Sequence, residues 1–101
     1  MSNTFVVRYE MRPETADENQ RLVEQVFTEL SDKQPEGLRY ASFRLADGVT
    51  FVHIGISEED AAPLGELGAF AEFQRQFGER AAGKPEASGA TVIGSFGFLP
   101  E

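Results

Sequence analysis

Asp47-Gly48 stands between two β-type runs, residues 38–45 and 49–56, and constrains the fold more than any other feature of the chain. Asp-Gly is a preferred pair for a two-residue hairpin turn of type I′, which needs positive φ at both central positions. A two-residue loop sets the pairing. It puts Ala46 opposite Val49, Arg44 opposite Phe51, Ser42 opposite His53 and Tyr40 opposite Gly55. Side chains alternate across a strand, so this register sorts the hairpin into two faces. One face carries Leu45, Thr50, Phe43, Val52, Ala41, Ile54, Arg39 and Ile56. It is nearly all apolar and is expected to meet the helices. The other carries Tyr40, Ser42, Arg44, Phe51 and His53, and is expected to be the open face of the sheet.

The flanking segments supply the rest of a β-α-β-β-α-β order. Residues 4–10 are short and β-rich, and read as the first strand. Phe5, Val7 and Tyr9 are assigned to its helix side, and Val6, Arg8 and Glu10 to its open side. Pro13 opens a helix, Thr15 and Glu18 have capping-box spacing, and Leu22, Val23, Val26, Phe27 and Leu30 form one helical stripe. Pro35 and Gly37 mark its end. After a polar connection at 57–63, a second helix is predicted over 64–82, with Leu67, Phe70, Phe73, Phe77 and Ala81 along one side. Residues 83–89 read as a connector and 90–99 as a last strand. The expected fold class is therefore α+β and ferredoxin-like, a four-stranded antiparallel sheet with two helices on one face. At 101 residues and 11.1 kDa the chain is expected to form a single domain, 1–101, with one core. A folded monomer of that mass exposes roughly 5,700 Å².

Composition removes several function classes. A net charge of −8 argues against nucleic acid or an anionic membrane as partner. No apolar run approaches the roughly 18 residues of a membrane helix. With no Cys there is no disulfide, thiolate metal site or thiol nucleophile. The first residues lack a targeting pattern, so a cytoplasmic location is expected.

Among candidate chemical groups, His53 is the chain's one histidine and the residue suited to exchange a proton near neutral pH. It could act as a general base or donate to a substrate oxygen or anion; its bland reading is a histidine hydrogen-bonded across an interface. Tyr40, Ser42, Arg44 and Phe51 are the candidate substrate-binding residues, apolar walls with a few orienting polar groups. Arg44 reads equally well as a salt-bridge partner across subunits, and Tyr40 as packing. Ser42 beside His53 has the pairing of a nucleophile and base, but no carboxylate is placed to orient the histidine. Phe70, Phe73 and Phe77 read as core packing. Glu58, Glu59 and Asp60 read as a solvated acidic run rather than a metal site, and Arg75, Arg80 and Lys84 as a mixed solvated helix face.

Several segments resemble the antibiotic biosynthesis monooxygenase superfamily. They are Arg12-Pro13-Glu14 entering the first helix, Gly37-Leu38-Arg39-Tyr40, Phe43-Arg44-Leu45 with Asp47-Gly48, Thr50-Phe51-Val52-His53, and Ala69-Phe70-Ala71-Glu72-Phe73. The resemblance spans about residues 4–98 and is closest to small bacterial proteins of that group. It implies a homodimeric α+β barrel with the mixed face inside and the site in the barrel, between sheet and helices. Some members oxygenate polycyclic aromatic substrates without a cofactor, and others degrade haem. Both active groups commonly use a Trp, which this chain lacks, and the haem degraders share a histidine on the second helix, where residues 64–82 have none.

Two functions are carried forward. One is a cofactor-independent monooxygenase or binding protein for a small aromatic or polyketide-like molecule, with no metal and with His53 as the catalytic group. The other is a non-enzymatic dimeric α+β barrel module of the stress-response (Dabb) type.

Overall fold

The computed structural model describes residues 2–58 and 67–97. Its elements are β1 (Ser2–Glu10), a 3-10 turn (Pro13–Thr15), α1 (Ala16–Lys33), β2 (Leu38–Arg44), β3 (Thr50–Glu58), α2 (Gly68–Gln74), α3 (Phe77–Arg80) and β4 (Glu86–Ala90). The sheet order is β2-β3-β1-β4, with every neighbour antiparallel. This is the ferredoxin-like arrangement expected from the order of elements.

The hairpin register is the expected one: Arg44 pairs Phe51, Ser42 pairs His53 and Tyr40 pairs Gly55. The turn differs. The Gly48 amide donates to the Leu45 carbonyl and the Leu45 amide to the Thr50 carbonyl, so the loop runs from Ala46 to Val49. Gly48 has φ +81°, but Asp47 is not in the left-handed region, so the turn is not type I′. The Asp47 carboxylate instead accepts from the amides of Val49 and Thr50 and from the Thr50 hydroxyl. Those three bonds make the loop self-supporting without strain at Asp47.

The faces of the hairpin are the reverse of the expectation. Phe51 and His53, 2% and 4% exposed, lie on the covered side with Tyr9, while Phe43, Val52, Ile54 and Ile56 are only half-buried. Pairing of β1 with β3 explains this. Tyr9 lies opposite Phe51 and Val7 opposite His53, so the helix side assigned to β1 carries the mixed face of the hairpin with it. Polar groups can occupy that side because they satisfy one another there.

Helix α1 covers this face through Ala16, Asn19, Leu22, Val23 and Val26, spaced as one helical stripe. Each buried Leu or Val contributes about 1.5–3 kcal/mol relative to exposure. Thr15 precedes the helix but forms no capping box; its hydroxyl donates to the Arg80 carbonyl at 2.7 Å. The helix ends at Gln34, in the left-handed region at φ 44°, with its amide on the Leu30 carbonyl.

The helix predicted over 64–82 is interrupted, and its residues 64–66 lie outside the described residues. Arg75 is extended and Gln76 left-handed, which separates α2 from α3. Arg80 bridges the break. It is buried, contrary to the solvated role expected of it, and its guanidinium donates to the carbonyls of Phe73 and Arg75. It also lies against the rings of Phe73 and Phe77, at 5.7 and 5.9 Å from their centroids.

The last strand is shorter and earlier than the predicted 90–99. The Ala82 amide bonds the Glu10 carbonyl, so the chain begins to run back along β1 directly after α3. From Glu86 opposite Arg8 to Ala90 opposite Thr4, the register consumes most of β1. The Val- and Ile-containing residues 91–97 form no strand, and 98–99 lie outside the described residues.

Candidate functional site

Side chains from the two strands flanking β3 converge on His53. The Tyr9 hydroxyl on β1 is 2.7 Å from Nε2. On β2 the Tyr40 hydroxyl is 2.6 Å and the Ser42 hydroxyl 3.2 Å from Nδ1. From α1, Asn19 Nδ2 donates to the Tyr9 oxygen at 3.0 Å. The strand register produces this grouping. Ser42 is directly opposite His53, while Tyr40 and Tyr9 are diagonal neighbours, long enough to reach back to it.

Aromatic rings enclose the cluster. Tyr9 stacks on Phe51 at 5.6 Å and meets Phe77 edge-on at 4.9 Å. Tyr40 stacks on Phe27 at 5.4 Å, and His53 lies 5.6 Å from Phe73. Burial in these surroundings penalises charge. It lowers the His53 imidazole to about 4, and raises the Tyr40 phenol to about 12 against the opposing effect of the Ser42 hydroxyl. Burial also raises the Tyr9 phenol well above its ordinary range, although the Asn19 amide opposes it. At neutral pH the cluster therefore holds two intact phenols and a neutral imidazole with one N–H and one lone pair.

A cavity of about 400 Å³ opens beside this cluster, between the sheet and the α2–α3 segment. Phe5, Val7, Tyr9, Tyr40 and His53 line it from the strands; Phe70, Phe73, Gln74 and Phe77 line it from the helices, with Pro85 at the connector. The size falls within the roughly 300–1,000 Å³ range of small-molecule pockets, and an apolar wall with few polar groups is their usual lining.

The sequence candidates divide here. Tyr40 and His53 line the cavity, and Ser42 touches His53 from behind. Phe51 is core, packed under Tyr9 rather than on the cavity wall. Arg44 is also outside the lining. It clips the hairpin to α1, donating to the Gly48 carbonyl at 2.9 Å, to Asp17 at 3.0 Å and to Gln20 at 2.7 Å. Phe70, Phe73 and Phe77 are wall residues as well as packing.

Tyr9 and Asn19 were not singled out from the sequence. Alternation along β1 puts Tyr9 on the helix side, but its diagonal relation to His53 depends on the β1–β3 register, which no turn encodes. Asn19 did carry a signal: it interrupts the apolar stripe of α1 between Ala16 and Leu22.

No family pattern matches the chain, and no curated protein matches it. Solved structures match closely in fold. The Rv0793 protein of Mycobacterium tuberculosis superposes with a TM-score of 0.75 at 16% identity, over 94% of this chain and 98% of that one. A candidate antibiotic biosynthesis monooxygenase from Nitrosomonas europaea gives 0.73 at 15% identity, over 91% of this chain and 90% of that one. An asparagine-to-alanine variant of SnoaB, a cofactor-independent oxygenase from Streptomyces nogalater, gives 0.68 at 19% identity, over 99% and 98%. The chain has the fold of the antibiotic biosynthesis monooxygenase proteins.

Proposed function

We propose that the cavity binds a small, flat, largely aromatic molecule carrying an enol, phenol or ketone oxygen, and supports its oxygenation without a cofactor. The observation that carries this reading is the juxtaposition of the 400 Å³ aromatic cavity with a neutral imidazole held between two protonated phenols. A fold shared with SnoaB adds to it. In such a reaction an acidic C–H or O–H of the substrate loses its proton, and the anion gives one electron to O₂. The resulting radicals join as a peroxide, a second proton is taken up, and loss of water leaves a carbonyl. The electrons come from the substrate. His53, neutral at pH 7 with one bare ring nitrogen, is the group proposed to accept the first proton, directly or through a tyrosine hydroxyl; its lowered basicity restricts the reaction to a substrate whose C–H or O–H is already acidic. Tyr40, kept protonated, is suited to donate to the developing oxyanion.

The chain is further proposed to work as a homodimer. The outer sheet face exposes half-buried Val6, Phe43, Val52, Ile54 and Ile56, and Val92, Ile93 and Phe96 are 53%, 98% and 99% exposed. A second copy packed on the outer face would cover its half-buried apolar residues.

One feature favours a second reading, a dimeric module with no reaction. Both ring nitrogens of His53 are already hydrogen-bonded, as in a purely structural histidine. Oxygen uptake with a panel of fused-ring phenols and ketones separates the two. Uptake by the wild type that falls at least tenfold in His53→Gln supports the oxygenase. Binding without uptake leaves a binding protein, and no binding by any member overturns the proposal.

A further inference from the structure

Asn19 is fully buried, 0% exposed, on the apolar stripe of α1. Its Nδ2 donates to the Tyr9 hydroxyl, and its Oδ1 has no partner among the described residues. A leucine there would avoid an unsatisfied polar atom, which is a costly thing to bury. The structure sets Nδ2 rather than Oδ1 at 3.0 Å from the Tyr9 oxygen. The amide therefore faces Tyr9 with its nitrogen.

That orientation has a directional consequence. The Tyr9 oxygen already accepts from Asn19, and in the described surroundings the Tyr9 hydrogen has one acceptor, Nε2 of His53 at 2.7 Å. Nε2 is then the bare nitrogen, and the imidazole proton resides on Nδ1. Nδ1–H faces the Tyr40 oxygen at 2.6 Å, with Ser42 beyond it at 3.2 Å. Tyr40 thus accepts from His53, and its own hydrogen is left for Ser42 or for a ligand in the cavity it lines.

We infer that Asn19 is a positioning residue that locks His53 in its Nδ1–H tautomer and so makes Tyr40 present a donor to the cavity. The inference rests on the proposed binding role of that cavity only for its last step. It assigns the ligand a hydrogen-bond acceptor, a carbonyl or oxyanion oxygen, at the Tyr40 end. The opposite tautomer would turn Tyr40 into an acceptor and favour a hydroxylic ligand.

The chain's single histidine makes the test direct. Long-range ¹H–¹⁵N correlation spectra of the ring distinguish a protonated from a bare nitrogen without any ligand. At neutral pH the wild type should show the proton on Nδ1. In Asn19→Leu, of similar size, the Tyr9 oxygen is free to accept from Nε2–H. The two ring nitrogens should then move toward each other in shift as the tautomers mix. Asn19→Ala gives the same readout should the leucine variant fail to fold. A wild-type spectrum with the proton on Nε2 overturns the inference, as does an unchanged Nδ1–H signature in a folded Asn19 variant. A ligand screen that finds nothing would remove the binding proposal and leave this result standing.

Discussion

The Tyr9 hydroxyl lies 2.7 Å from Nε2 of His53, although the residue directly opposite His53 on β1 is Val7. The contact is diagonal, and it closes a polar chain inside an aromatic shell. That chain consists of hydroxyls and an amide, with no carboxylate among its described members, so nothing in it compensates a positive imidazole. Burial therefore dominates the histidine's protonation.

The first prediction concerns pH. His53 falls from an ordinary 6.5 to about 4 on folding. Between those values the unfolded chain binds a proton that the folded chain does not, so stability falls as pH drops through the window. The full effect is about 3 kcal/mol at the acid end, from 1.36 kcal/mol for each pH unit. Urea midpoints of the wild type should decline from pH 7 to pH 4, and those of His53→Gln should be much flatter. Parallel curves would show that the imidazole is not buried neutral.

Much of the fold was legible because local signals encode it. Asp47 and Gly48 set the register of β2 on β3 even though the turn type was different, since either loop leaves Arg44 opposite Phe51. What failed was the choice of face. A rule that sends the aliphatic side inward misled, because both sides of this hairpin are apolar enough to bury, and Tyr9, Tyr40 and Ser42 satisfy His53 on the inner one. Only the β1–β3 register, a contact between residues more than forty positions apart, decides between the sides. The same long-range pairing hid Tyr9 from the candidate site. Arg44 was misplaced for a related reason: its partners Asp17 and Gln20 come from α1, which no hairpin rule positions.

The second prediction concerns ligand recognition. Tyr40 offers the cavity a phenolic group, while most of the lining is apolar. Fluorenone and fluorene share a ring frame and differ by a carbonyl acceptor. Wild type should bind fluorenone about fivefold more tightly, the worth of roughly 1 kcal/mol for one hydrogen bond. Tyr40→Phe should erase that difference while keeping the affinity for fluorene. Isothermal titration measures both, and a preference that survives in Tyr40→Phe would assign the donor to another residue.

The third prediction uses Gly55. It lies opposite Phe5 and Tyr40, and a Cβ built on it would overlap the Phe5 ring. Phe5 is a wall residue of the cavity. Gly55→Ala must therefore swing that ring aside rather than move backbone. Overpacking of this kind costs about 1–3 kcal/mol. The variant should fold with a lowered Tm and show altered affinity for any ligand bound by the wild type. A crystal structure with Phe5 unmoved would contradict the argument.

The last prediction tests the proposed dimer at the centre of its face. Ile54 is on β3, paired with Val6 on β1 and Ala41 on β2, so it sits in the middle strands of the outer face. It is half-buried there, while His53 beside it in sequence points to the opposite side and is 4% exposed. Ile54→Arg would place an unpaired charge at the core of an apolar interface, where desolvation is unfavourable by several kcal/mol. In the isolated chain the same arginine can extend into water, so the fold itself should tolerate it. Light scattering at micromolar concentration should therefore give about twice 11.1 kDa for the wild type and 11.1 kDa for the variant. The His53 ring signals of the variant should keep their wild-type tautomer, because the cluster of Tyr9, Tyr40 and Asn19 lies within one chain on the other side of the sheet. A wild type that is monomeric, or a variant that remains dimeric, would move the interface away from this face.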